Sequence, residues 1–184
     1  MADLKVTALT SLAAATARED LLHVIDDPSG TPINKKETLG DMMNSLASPV
    51  TLADTAVTLT EATHAGRFVI IPNVSADRIY TLPTPKVGMT FRFIGPTGLE
   101  AADGHDVTIS CGSGNSIFFK GQVVHHDTNA TGQTTSVVWA DQDSEETLKI
   151  DTPEAIDLVL VGVSTTVWQI SGFVATVTAP AFAD

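Results

Sequence analysis

The chain has 184 residues, 43% of them hydrophobic, which suits one domain with an appendage or two small domains, and excludes global disorder. A formal net charge of −12 with a pI near 4.6 repels phosphate backbones and anionic membranes and argues against a nucleic-acid partner. The longest apolar stretches, such as Ile156 to Val163, are interrupted by Asp157 and are too short to span a bilayer, and MADLKVTALT lacks the basic start and long apolar stretch of a secretory signal.

The first structural signal is LLHVIDDPSGTP, residues 21–32. Asp27 at the first turn position accepts a local hydrogen bond, Pro28 pre-sets φ, and Gly30 closes the fourth position, the preference of a type I turn. Leu21–Asp26 before it is apolar and β-leaning, and Ile33–Glu37 after it alternates loosely, so the pattern predicts a hairpin. Thr38 and Asp41 resemble a capping box with Asp in place of Glu or Gln, and Leu39, Met42, Met43 and Leu46 recur at helical spacing until Pro49 stops the helix.

A helix this short holds poorly in water by itself, and a piece of about 45 residues without cysteine lies near the lower limit for an independent core. Residues 1–46 are therefore expected to pack on the rest of the chain, on a second copy or on another protein. A docking segment is the favoured reading. Methionine adapts to irregular partner surfaces, and Lys35–Lys36, the only paired basic charge of an acidic chain, would steer the segment toward an acidic one. The candidate partner-binding set is Asp27, Lys35, Lys36, Leu39, Met42, Met43 and Leu46.

From residue 50 to 184 the texture changes to short runs rich in Val, Ile, Thr and Phe. The predicted strands are Ala56–Thr60, Arg67–Ile71, Arg78–Leu82, Met89–Ile94, Val107–Cys111, Ser116–Lys120, Ser136–Ala140, Thr147–Ile150, Ile156–Val161, Val167–Ser171 and Phe173–Thr178. Pro, Gly, Asp and Asn clusters such as Pro83-Thr84-Pro85 and Asp141-Gln142-Asp143 separate them. Many short strands with no convincing helix among them and no internal repeat predict a mainly β fold, an antiparallel β-sandwich or barrel. Alternation places Met89, Phe91 and Phe93 on one face and Thr90 and Arg92 on the other, and Phe91, Phe93, Trp139 and Trp168 are the expected core anchors. GQVVHHDTNATGQTTS reads as an exposed polar loop.

Reactive chemistry is thinly represented. Cys111 has no partner for an intrachain disulfide and no visible neighbour to activate it, so it reads as a small apolar filler. His125-His126-Asp127 and Asp103-Gly104-His105-Asp106 lack zinc-site spacing and read as solvated loop residues. The acidic run from Asp141 to Glu146 lacks the glycine-centred loop of an EF-hand. There is no Gly-x-Ser-x-Gly elbow, no Gly-rich phosphate loop and no distinguishable carboxylate pair. The expectation is a non-enzymatic protein with no catalytic, cofactor or metal residues.

Two stretches carry a family resemblance. LKVTALTSL followed by EDLLHVIDDPSGTPINKKETLGDMMNSL resembles an N-terminal module of structural proteins from tailed bacteriophages. Tyr80–Phe93, Gly104–Ile109 and the closing IDLVLVGVSTTVWQISGFVAT are similar to a β-rich module of virion proteins, although Gly162-Val163-Ser164-Thr165 replaces its usual Asp-Gly-Thr-Asn turn. The resemblance implies a virion surface component made in the host cytoplasm, with 1–46 as attachment segment and 50–184 as a β-domain that trimerises. Its length suits a capsid decoration (cement) protein bound to the major capsid protein. A short head or tail fibre component that binds the host surface is the alternative, while the lack of a shaft-forming repeat counts against a full tail fibre.

Overall fold

The computed structural model describes residues 17, 20–26, 29–31, 33–96, 104–114, 116–129 and 131–184. The chain divides into two compact units, Met1–Ala47 and Ser48–Asp184. Asp27 lies outside the described residues.

The described part of the first unit is a hairpin followed by a helix. Strands β1 (Leu21–Asp26) and β2 (Ile33–Thr38) pair antiparallel from Leu21↔Thr38 to Asp26↔Ile33, and α1 (Leu39–Ala47) follows at once. The expected cap is present: the Thr38 hydroxyl accepts from the Asp41 amide at 3.0 Å and donates to the Asp41 carboxylate at 2.6 Å. A second tie comes from Asp20, whose carbonyl accepts from Leu39 N–H at 2.8 Å while its carboxylate accepts from Ala17 N–H.

The second unit is mainly β, built from a seven-stranded and a five-stranded sheet. Its elements are β3 (Val50–Thr51), β4 (Val57–Thr58), α2 (Glu61–His64), β5 (Phe68–Ile70), β6 (Arg78–Thr81), β7 (Thr90–Gly95), β8 (Val107–Ser110), β9 (Phe118–Asp127), β10 (Thr135–Trp139), β11 (Thr147–Ile150), β12 (Ala155–Gly162), β13 (Val167–Thr176) and β14 (Ala181–Ala183). The larger sheet runs β10-β9-β13-β12-β7-β5-β3 and the smaller β14-β11-β8-β6-β4.

The pairing is mixed, where the strand pattern predicted antiparallel sheets throughout. From β3 to β8 the chain alternates between the sheets, and each strand lies parallel to its predecessor in the same sheet. Successive passes stack in register: Val50, Val69 and Phe93 in one sheet, and Val57, Tyr80 and Ile109 in the other. Two positions on, Leu59 N–H donates to Thr81 O and Leu82 N–H to Ser110 O, so Leu59, Leu82 and Cys111 follow one another in a buried column. No residue repeat announces this winding, because stacking constrains only side-chain polarity at the inward positions.

Aspartates latch the corners of the winding. The Asp54 carboxylate accepts from Ser75 N–H at 3.1 Å, from the Ser75 hydroxyl at 2.6 Å and from Arg78 Nε at 2.7 Å. One pass later Asp77 accepts from Asp106 N–H at 3.0 Å. Beyond β8 the pairing turns antiparallel, with β11 on β8 and β12 on β7, and β13 then carries β9 parallel on its far side.

Several local expectations change. The polar stretch read as a loop is a hairpin: β9 runs on to Asp127 and β10 returns along it, from Thr135↔His126 to Trp139↔Gln122. Thr and Gln there supply outward-facing strand positions, which mimic loop composition. The two strands expected around Gly172 are one, because Gly172 at φ 132° brings its Cα so close to Asp157 O that a Cβ would lie 2.1 Å from it. The four-residue α2 is additional, capped by the Thr60 hydroxyl on Thr63 N–H.

Phe91, Phe93 and Trp168 are core residues as expected, and Phe91 meets Trp168 edge-on at 5.5 Å. Trp139 is not: it is 61% exposed on the edge strand β10. Its strand alternation puts Val138, not Trp139, on the side facing the core.

Candidate functional site

In the first unit, β2 sets Lys35 and Lys36 on successive, opposite-facing positions, and α1 follows without a break. A groove of about 460 Å³ is lined by Leu21, Val24, Lys35, Lys36, Glu37, Thr38 and Asp41. It therefore gathers the two lysines with the capped start of the helix. Leu39 and Met42 are half-buried, while Met43 and Leu46 are exposed, Leu46 at 65%. Within α1 only Gly40 is buried, so the expected apolar stripe forms but its outer half is open to solvent. Leu21 and Ile33, from the two strands, are exposed as well.

Sequence reasoning missed the groove and these two strand residues. The available signal was that β1 and β2 are too few strands to bury two faces.

Several titratable groups of the β unit are engaged in structure. His125 is buried, with Nε2 3.1 Å from both Thr176 O and Thr176 Oγ1 and Nδ1 3.4 Å from Ser136 Oγ. This corrects its reading as a solvated loop residue, since it faces inward between β10 and β13. His126 faces the opposite way and meets the Phe173 ring edge-on at 5.5 Å. The two adjacent histidines thus lie on opposite faces.

In the acidic run, the Asp141 carboxylate accepts from Asp143 N–H at 3.0 Å, Ser144 N–H at 3.3 Å and Glu145 N–H at 3.4 Å. These bonds hold its pKa well below the usual carboxylate range, and burial raises that of Glu145. The loop closes around its own backbone. Among the described residues no group of three His, Cys, Asp or Glu side chains is placed to hold a metal ion. Cys111 is buried, and burial together with Glu146 pushes its thiol far above the ordinary value, away from the reactive thiolate.

The two outer faces of the sandwich differ. On the five-stranded sheet one row reads Thr58, Thr81, Ser110, Thr147 and Ala183, and the next Ile79, Thr108, Lys149 and Ala181. Lys149 there bridges Asp106 at 2.8 Å and Asp151 at 3.0 Å. On the seven-stranded sheet the central row reads Val137, Val124, Phe173, Asp157, Ile94 and Ile70. Beside it, Ser171, Val159, Arg92 and Phe68 align, with Trp139 opposite Gln122 at the edge.

No helix of the described residues is long and apolar enough to cross a membrane. No protein-family model matches the sequence, and no curated protein matches it either.

Proposed function

We propose that this chain is a non-enzymatic structural protein of a virus particle, a decoration protein that docks on the outer surface of the capsid shell through its N-terminal unit. One observation carries the docking assignment: Leu21, Ile33, Met43 and Leu46, four large apolar side chains, are all exposed on a hairpin and a nine-residue helix. So small a unit gains little by exposing them unless a partner covers them. The sequence resemblance to tailed-phage structural modules supplies the partner class, a major capsid protein. The groove presents Lys35 and Lys36 beside Glu37 and Asp41, which suits a rim of mixed charge on that partner. The β unit, with its own continuous core from Leu52 to Val174, serves as the body.

The test is decoration of undecorated shells by the full chain. Met43→Asp and Leu46→Asp should each lower occupancy by roughly 100-fold in affinity, and the pair should abolish it. Val177→Asp, an exposed apolar position of the β unit, should bind as the parent does. Full occupancy by the double variant overturns the assignment. Copy number per particle separates the alternative: hundreds indicate a shell protein, a handful a head or tail fibre component.

A further inference from the structure

We propose that the free edge of β10 is a strand-addition site, which takes an extended segment of a partner protein, apolar at alternate positions and basic at its N-terminal end. Among the described residues the β unit has four sheet edges, and three of them are too short to template a strand. β3 and β4 have two residues each and β14 has three. The fourth edge, β10 (Thr135–Trp139), has five residues and pairs only with β9. Long edges are normally guarded by lysine, proline or a bulge. TSVVW has no lysine and no proline, its register on β9 is unbroken, and Val137 and Trp139 stand exposed on it. Backbone register shows which groups are open. Asp127 N–H donates to Thr134 O, and Ala140 N–H donates to Gly121 O. Residues 134, 136, 138 and 140 therefore direct their amides and carbonyls at β9, and antiparallel alternation turns those of Thr135, Val137 and Trp139 away from it. Three N–H and three C=O groups line this edge, with the side chains of the same three residues on the outer face.

Charge selects the occupant. β10 itself carries no charged residue, but Asp141 and Asp143, both exposed, follow it at once. They sit in the loop that the Asp141 carboxylate closes on the amides of residues 143–145, so their charge is held in place. Antiparallel addition, the more stable pairing, sets the N-terminal end of the added strand beside this loop. A lysine or arginine there meets the carboxylates, and alternate apolar side chains extend the row of Val137 and Trp139. A second copy fits this edge poorly, because pairing β10 with itself brings no cation to either loop and joins two chains of net charge −12. The site belongs to the β unit alone and does not depend on shell docking.

Fluorescence anisotropy on the full chain tests it, with a short labelled peptide of two lysines followed by alternating valine and threonine. The peptide should bind with a Kd below about 200 µM, and the unlabelled peptide should shift Trp139 emission to the blue. Val137→Pro replaces an N–H that bonds nothing within the sheet, so the fold is kept while binding weakens by about 10-fold or more. Methylating the alternate peptide amides that face β10 should abolish binding to the parent, and methylating the others should not. Glutamates in place of the two lysines should weaken binding by about 10-fold at low salt. No binding at about 1 mM peptide overturns the proposal. So does binding that both Val137→Pro and amide methylation leave intact, or equal binding of the glutamate peptide. An oligomer of the parent that Val137→Pro dissolves assigns the edge to a second copy, and overturns it too.

Discussion

Arg92 on β7 and Asp157 on β12 are joined by two parallel hydrogen bonds, Nε to Oδ1 at 2.9 Å and Nη2 to Oδ2 at 2.7 Å. The pair is bidentate, spans the middle of the larger sheet and lowers the Asp157 pKa, chiefly through the Arg92 hydrogen bonds.

Asp54 is placed similarly, its pKa lowered from 3.8 to about 2 by the side-chain bond from Arg78 and then by Ser75. A carboxyl whose pKa falls on folding contributes stability that is complete above its unfolded value and is lost as pH drops through the folded one. The melting temperature should therefore hold from neutrality to about pH 4 and decline toward pH 2. Asp54→Asn should lower it at pH 7 and flatten the decline. Melts of both proteins across that range check this, and an unchanged slope would count against the latch.

Glycine is required at three strand positions, Gly121 (φ 115°, a Cβ 2.2 Å from Ile170 O), Gly162 and Gly172, and the last two are the test. A Cβ on Gly162 would lie 2.3 Å from Lys86 O, and one on Gly172 would lie 2.1 Å from Asp157 O with φ at 132°. Each to alanine should cost about 2–4 kcal/mol by denaturant unfolding. Gly132, with nothing near its Cβ position and no positive φ, is the control, and its alanine variant should unfold like the parent.

The two tryptophans should separate by solvent and by energy. Trp168→Ala removes the largest fully buried side chain and should cost about 3–5 kcal/mol. Trp139→Ala should change the stability of the β unit by less than about 0.5 kcal/mol. Iodide should quench the emission of Trp139 and spare that of Trp168.

Cys111 should be silent to thiol reagents in the native protein and react fully in denaturant. It continues the column of Leu59 and Leu82, so Cys111→Ser places a hydroxyl in an apolar site and should cost about 1–3 kcal/mol, while Cys111→Ala should cost less. Native reactivity at the rate of a free thiol would contradict this burial.

What the sequence determined by itself was local. The Thr38–Asp41 cap, the 3.6-residue spacing of Leu39, Met42, Met43 and Leu46, and the alternation of Phe91 and Phe93 with Arg92 depend on neighbours a few residues away. Those features are where the chain placed them, and the mainly β character follows from them. The tertiary structure decided whatever depends on pairing across long separations. The parallel stacking of β3 to β8, the burial of His125 beneath Thr176 and the exposure of Trp139 at a sheet edge belong to that class. A strand's residues declare which of them share a face, but not whether that face meets the other sheet, water or a second molecule. That choice belongs to the strand's neighbours, because burial is a property of the pair and not of the segment.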